Sequence, residues 1–134
     1  MNKEQHKKLT FDDIVNRKLQ REKDKMKLMS IYVPSMGGDL VFNSLPENKI
    51  LEIKSNYDDN DPSSEIELAR CLIYESCKDL QNPELHKMMD VKDPLDVVRG
   101  IFTYREANDI GLELLKFNGF ASDGEDKIIS SIKN

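Results

Sequence analysis

A chain of 134 residues amounts to one domain, and with 38% hydrophobic and 34% charged residues it can close a core, though a thin one under a heavily solvated surface. The formal charge of −5 is unevenly spread: residues 1–30 carry nine basic against five acidic side chains, and residues 31–134 carry eleven against twenty. An acidic body argues against nucleic acid as a partner, and no apolar run approaches the roughly 20 residues of a membrane span.

Residues 1–8 read as a disordered N-terminal tail ahead of a single domain over residues 9–134. The tail lacks the apolar segment of a signal peptide. The two cysteines, Cys71 and Cys77, would sit about 120° apart around a helix and so do not pair within it. Two unpaired thiols suit a reducing cytoplasm.

Thr10-Phe11-Asp12-Asp13 opens the first helix, because a Thr side chain can accept from orphan backbone N–H groups while an acid three residues on returns the bond. Phe11, Ile14, Val15, Leu19, Glu22 and Met26 trace one face of it with a polar gap. Its basic residues Arg17, Lys18, Arg21, Lys23, Lys25 and Lys27 are interrupted by Glu22 and Asp24. No aromatics interleave with them, so they read as a solvated face with internal ion pairs rather than a nucleic-acid patch.

Two alternating runs follow, Met29-Ser30-Ile31-Tyr32-Val33 and Asp39-Leu40-Val41-Phe42-Asn43, around Pro34-Ser35-Met36-Gly37-Gly38. That is the pattern of a β-hairpin, which in water must pack on helices or on another chain. Ser44-Leu45-Pro46-Glu47 has the form of a capping box before a short helix with Ile50, Leu51 and Ile53. Residues 56–61 form a polar loop. Its acids do not spell a calcium loop: counted from Asp59, the positions that need Gly and Glu hold Ser64 and Arg70.

Asp61-Pro62, or Ser64 with Glu67, opens a helix whose stripe is Ile66, Ala69, Leu72, Ile73 and Cys77. Asn82-Pro83 opens a short helix with Leu85, Met88 and Met89, and Asp93-Pro94 opens one with Leu95, Val97, Val98, Ile101 and Phe102. Thr103-Tyr104-Arg105-Glu106 caps a helix carrying Ala107, Ile110, Gly111, Leu114 and Leu115, ended by Asn118-Gly119. Ser122-Asp123-Gly124-Glu125 opens a last one with Ile128, Ile129 and Ile132. The expected fold is mainly α with one β-hairpin, an α+β single compact domain of six or seven short helices. Leu72, Ile73, Val98, Phe102, Ile110 and Leu114 are its expected core.

Catalysis needs convergent groups, and the sequence offers none. The histidines are His6, in the tail, and His86, which reads as a solvated helix residue. None of the common metal, nucleotide or nucleophile motifs is present, so no catalytic, cofactor-binding or metal residue is expected, and the chain is not expected to be an enzyme. The helix pair over residues 94–118 has the outline of a helix-turn-helix. Its second helix offers Glu106, Asn108, Asp109 and Glu113 where DNA would meet basic residues.

The order of elements matters next: a charged helix, a hairpin, then Ala69-Arg70-Cys71-Leu72-Ile73-Tyr74-Glu75-Ser76-Cys77 with Leu80, Asn82-Pro83-Glu84-Leu85, and Asp93-Pro94-Leu95-Asp96-Val97-Val98 leading into Ile101-Phe102. This resembles the XkdN-like tail assembly chaperones of phages and phage-derived elements, over about residues 28–117. The resemblance implies a protein-binding helper of tail assembly, acting in the cytoplasm of the bacterial host and absent from the finished virion. Its implied partners are the tape measure protein, whose long helices it coats, and the tail tube protein, which it recruits. No cofactor is implied. Tyr32 and Phe42 of the hairpin and the adaptable Met88 and Met89 are the candidate partner-binding residues. Self-association through the hairpin edge or first helix is a further expectation, from the opposite charges of the two parts of the chain. The alternative is a small helical regulatory or nucleic-acid-binding protein.

Overall fold

The computed structural model describes residues 6–24, 27–57 and 60–120. In chain order these form α1 (Phe11–Asp24), β1 (Leu28–Val33), β2 (Gly38–Asn43), α2 (Glu47–Ser55), α3 (Pro62–Ser76), α4 (Pro83–Met89), α5 (Leu95–Ile101) and α6 (Tyr104–Phe117). Short 3-10 turns lie at Pro34–Met36 and Lys78–Gln81. The expected mostly helical domain with one antiparallel hairpin is what forms. The last expected helix, the start of the tail and the acidic pair Asp58 and Asp59 lie outside the described residues.

Most helix starts are made by the side chains the sequence singles out. Thr103 and Glu106 exchange the two bonds of a capping box: the Thr103 amide donates to Glu106 at 2.9 Å, and the Glu106 amide donates to Thr103 at 3.1 Å. The Ser35 hydroxyl also binds Glu106, which together with the Thr103 amide holds its carboxyl below the usual range. Thr10 and Asp13 make the same exchange at 3.2 and 2.8 Å. Asn82 accepts from the Glu84 amide at 2.9 Å, Asp61 from the Ser63 amide at 3.0 Å and Asp93 from the Leu95 amide at 3.0 Å.

The start of α2 differs from expectation. Pro46 precedes its first turn with no side-chain cap, and the Ser44–Glu47 box does not form. The Ser44 amide instead donates to the Lys27 carbonyl at 2.9 Å, extending the hairpin ladder by one rung. The Leu45 amide donates to the Asn118 side chain at 2.7 Å, and Asn118 also donates to the Leu114 carbonyl at 2.8 Å. Asn118 thereby clips the end of α6 to the strand–helix junction. Asn118→Ala is expected to cost about 1 to 3 kcal/mol by stranding the part-buried Leu45 amide. Hydrogen exchange at Leu45 checks it, since that amide should lose protection more than its neighbours do.

The hairpin pairs Met29 with Phe42 and Ile31 with Leu40 on one face, and Tyr32 with Asp39 on the other. Gly37 turns the chain in the left-handed region at φ 68°, where a side chain is disfavoured. Met29, Ile31, Val33, Leu40 and Phe42 face the core, and Val33 and Phe42 are fully buried. That packing supplies the stability a lone hairpin lacks.

At the centre stands α3, which touches α2, α5, α6, β2 and the second 3-10 turn. Its Ile66, Ala69, Leu72 and Ile73 are buried with Val97, Val98 and Phe102 around α5 and Ala107, Ile110 and Leu114 of α6. All six expected core residues are among these. The closest approach is between α3 and α6, where a Cβ on Gly111 would lie 2.7 Å from the Ala69 Cβ. At the other flank Arg99 of α5 binds Glu67 of α3 together with Asp93 and Asp96. This fork of carboxylates, Glu67 foremost, keeps the guanidinium charged and holds α5 against α3.

Candidate interaction surface

The side chains with chemical potential serve packing. His86 is half-buried rather than solvated. Its Nε2 stands 2.9 Å from the Leu80 carbonyl oxygen, which can only accept, so Nε2 carries the proton. The ring lies tilted on Tyr74 of α3 with centroids 5.8 Å apart, so His86 fastens α4 both to α3 and to the turn before it. Both cysteines are free thiols, Cys77 buried and Cys71 half-buried. Burial pushes each thiol upward, which keeps it protonated and a poor nucleophile. Among the described residues no group of three or more His, Cys, Asp or Glu is placed to hold a metal ion, and no helix is long and apolar enough to cross a membrane.

The four residues expected to meet a partner divide into two kinds. Tyr32 is 61% exposed and Met88 is 85% exposed. Phe42 is fully buried, because the hairpin register puts it opposite Met29 on the inner face. Met89 packs against the core, with its Cε 3.0 Å from where a Gly100 Cβ would stand. A partner does not reach Phe42 without opening the fold, whereas Met89 keeps part of its surface open.

Among the described residues another open apolar surface lies elsewhere. On α1, Phe11 is 79% and Ile14 61% exposed, with Val15 and Leu19 also open to solvent. This is the stripe read from the sequence, but the described residues leave it open. Spaced three and four residues apart, these side chains share one face of the helix. A helix of this length is marginal in water without tertiary packing. Where α1 passes α2, the two enclose a groove, spanned by an ion pair between Arg21 and Glu47 at 3.3 Å.

The groove has two contiguous ends that share Arg17, Arg21 and Glu47. One end, about 470 Å³, is basic: Arg17, Arg21 and Lys27 face it, with Leu45, Phe117 and Phe120 forming its apolar wall. The other end, about 640 Å³, is more apolar and is lined by Ile14 of α1, Pro46 just before α2 and Leu51 of α2. Sequence reasoning missed this groove. The available signal was Leu51, which sits one position off the buried Ile50 and Ile53 face of its helix and is exposed. The outer hairpin face, with Leu28, Tyr32 and Val41, is a second exposed apolar surface.

No protein-family model, no curated protein and no solved structure matches this chain.

Proposed function

We propose that this protein is a tail assembly chaperone of a phage or prophage, of the XkdN-like kind, which binds the tape measure protein and helps recruit tail tube subunits around it. The observation that carries the reading is the pair of runs Leu72-Ile73-Tyr74-Glu75-Ser76-Cys77 and Asp93-Pro94-Leu95-Asp96-Val97-Val98, in the family's order after a charged helix and a hairpin. It acts by binding, without catalysis, in the cytoplasm of the bacterial host, and leaves before the virion is complete.

The exposed surface supports this. A chaperone of long amphipathic helices needs an apolar seat beside a core that stays closed. The α1–α2 groove is such a seat, lined by Ile14 and Leu51 and crossed by the Arg21–Glu47 ion pair. A client helix lays spaced apolar anchors into the groove, each contact weak. Many copies along one client give avidity, and tube subunits displace them by competing for the same surface.

The test is co-expression of a tape measure protein with this chain, with Leu51→Asp and with no chaperone. The wild-type chain is expected to keep the long protein soluble and to be pulled down with it, while Leu51→Asp weakens capture by about 10-fold or more with an unchanged melting temperature. A tape measure protein equally soluble alone, with no complex in pull-down, defeats the proposal. A gel shift at physiological salt that survives competitor DNA favours the nucleic-acid alternative instead.

A further inference from the structure

We infer that β1 is a docking edge for β1 of a second copy, the two strands pairing antiparallel about Ser30 into a four-stranded sheet. The phase of the hairpin ladder carries this. The Ser44 amide donates to the Lys27 carbonyl at 2.9 Å, one step beyond the Leu28–Asn43 pair of the register. Lys27 and Ser44 are therefore a hydrogen-bonded pair, and so, at every second step, are Met29–Phe42, Ile31–Leu40 and Val33–Gly38. Leu28, Ser30 and Tyr32 lie between them, and their N–H and C=O groups point away from β2. The sheet ends at β1, and among the described residues no other backbone bond takes up those groups.

Strand edges are normally guarded by charge, proline, a bulge or a covering element. The strand Leu28-Met29-Ser30-Ile31-Tyr32-Val33 carries no charge, proline or glycine, and it pairs without a bulge. The outward set on β2 is Asp39, Val41 and Asn43, so that edge has its guarding charge. The inner face repeats the asymmetry. Phe42 of β2 is fully buried, while Met29 and Ile31 of β1 stay partly open. The core formed by the described residues thus stops short on the β1 side.

A second copy fits because β1 is complementary to itself. Pairing about Ser30 sets Leu28 opposite Tyr32 of the second copy and Ser30 opposite its own counterpart, and each pair exchanges both N–H···O bonds. On the outer face an aliphatic side chain meets an aromatic at each end, with small hydroxyls between them. On the inner face Met29 lies opposite Ile31, and no like charges meet. An unrelated strand would supply the backbone bonds without this matched order of side chains. Two strands of six residues make a small interface of the transient class, so the pair is reversible. The inference stands on the hairpin alone and goes beyond the function proposed above.

Disulfide trapping tests it. Residues of a bonded antiparallel pair have Cα atoms about 5.5 Å apart, within disulfide range, whereas Tyr32 would lie about 13 Å from its own counterpart. Under mild oxidation Ser30→Cys is expected to give about 10-fold or more covalent dimer than Tyr32→Cys, Val41→Cys or the wild-type chain, whose Cys71 and Cys77 set the background. Sedimentation of the wild-type chain at about 0.5 mM should show a mass above that of one chain, which dilution reverses. Ser30→Lys opposes like charges across the pair and should weaken association by about 5-fold. Its melting temperature should not change, because Ser30 is exposed. Mixing it with Ser30→Glu chains should restore association. A single-chain mass at about 0.5 mM overturns the inference. Trapping no greater at Ser30 than at Val41, which places the contact on β2, also overturns it. So does association undiminished by Ser30→Lys, which places it on another surface such as α1. None of these measurements involves a tape measure protein, so the inference and the proposed function fail separately.

Discussion

Leu114→Ala is expected to destabilise the domain by about 2 to 5 kcal/mol. Leu114 is fully buried on the face of α6 that α3 covers, so the truncation loses the transfer energy of the side chain and leaves a void in a packed interior. A domain of this size holds a total stability of about 5 to 15 kcal/mol, so the change removes a large fraction of it. Thermal unfolding followed by circular dichroism should show the melting temperature lowered by about 10 °C or more. The folded signal at low temperature should keep its helical form, because Leu114 caps no helix. An unchanged melting temperature would show that α6 is not seated as described.

Gly111→Ala is also expected to destabilise the domain, although it adds a good helix former to a helix. Alanine in place of glycine would ordinarily favour α6 by about 0.5 to 1 kcal/mol. Here the new methyl would lie 2.7 Å from the Ala69 Cβ and 3.1 Å from its Cα, and the latter is backbone that cannot rotate away. The two helices must separate, which costs about 1 to 3 kcal/mol or more and outweighs the gain. The swap Ala69→Gly with Gly111→Ala moves the methyl from one helix to the other at the same crossing. It should recover most of the stability, and the double-mutant cycle should show a coupling of about 1 kcal/mol or more. Additive effects of the two substitutions would mean that the backbones do not meet there.

Helix starts were legible because they are local: Thr103 with Glu106, Asn82 with Pro83 and Asp61 with Pro62 each place the cap and its amides within a few residues. Ser44 with Glu47 has the same spelling and fails. The Ser44 amide is claimed by Lys27 across the hairpin and the Leu45 amide by Asn118 from the far end of the domain, and no local pattern records either partner. The core stripes of α3, α5 and α6 were readable from their spacing. That Ala69 and Gly111 nearly touch is a relation between two helices and has no sequence signature of its own. Strand alternation separated the two faces of the hairpin, but the cross-strand register decided that Phe42 goes in and Tyr32 stays out. For α1, the spacing declared an apolar face, and only the assembled domain shows that α3 and its neighbours leave that face open.

The central place of α3 has a consequence for synthesis on the ribosome. Its buried face is completed mainly by α6, and the chain makes Ser76 well before it makes Phe117. At about 5 to 20 residues per second, translation spends about 2 to 8 s between those two points. During that interval Ile66, Leu72 and Ile73 have been made while the helix that will shield them has not. The nascent chain therefore carries an uncovered apolar face of the kind that holdases bind before it is a folded protein. Slowing translation between codons 77 and 117 should lengthen that exposure and lower the soluble yield without altering a single residue.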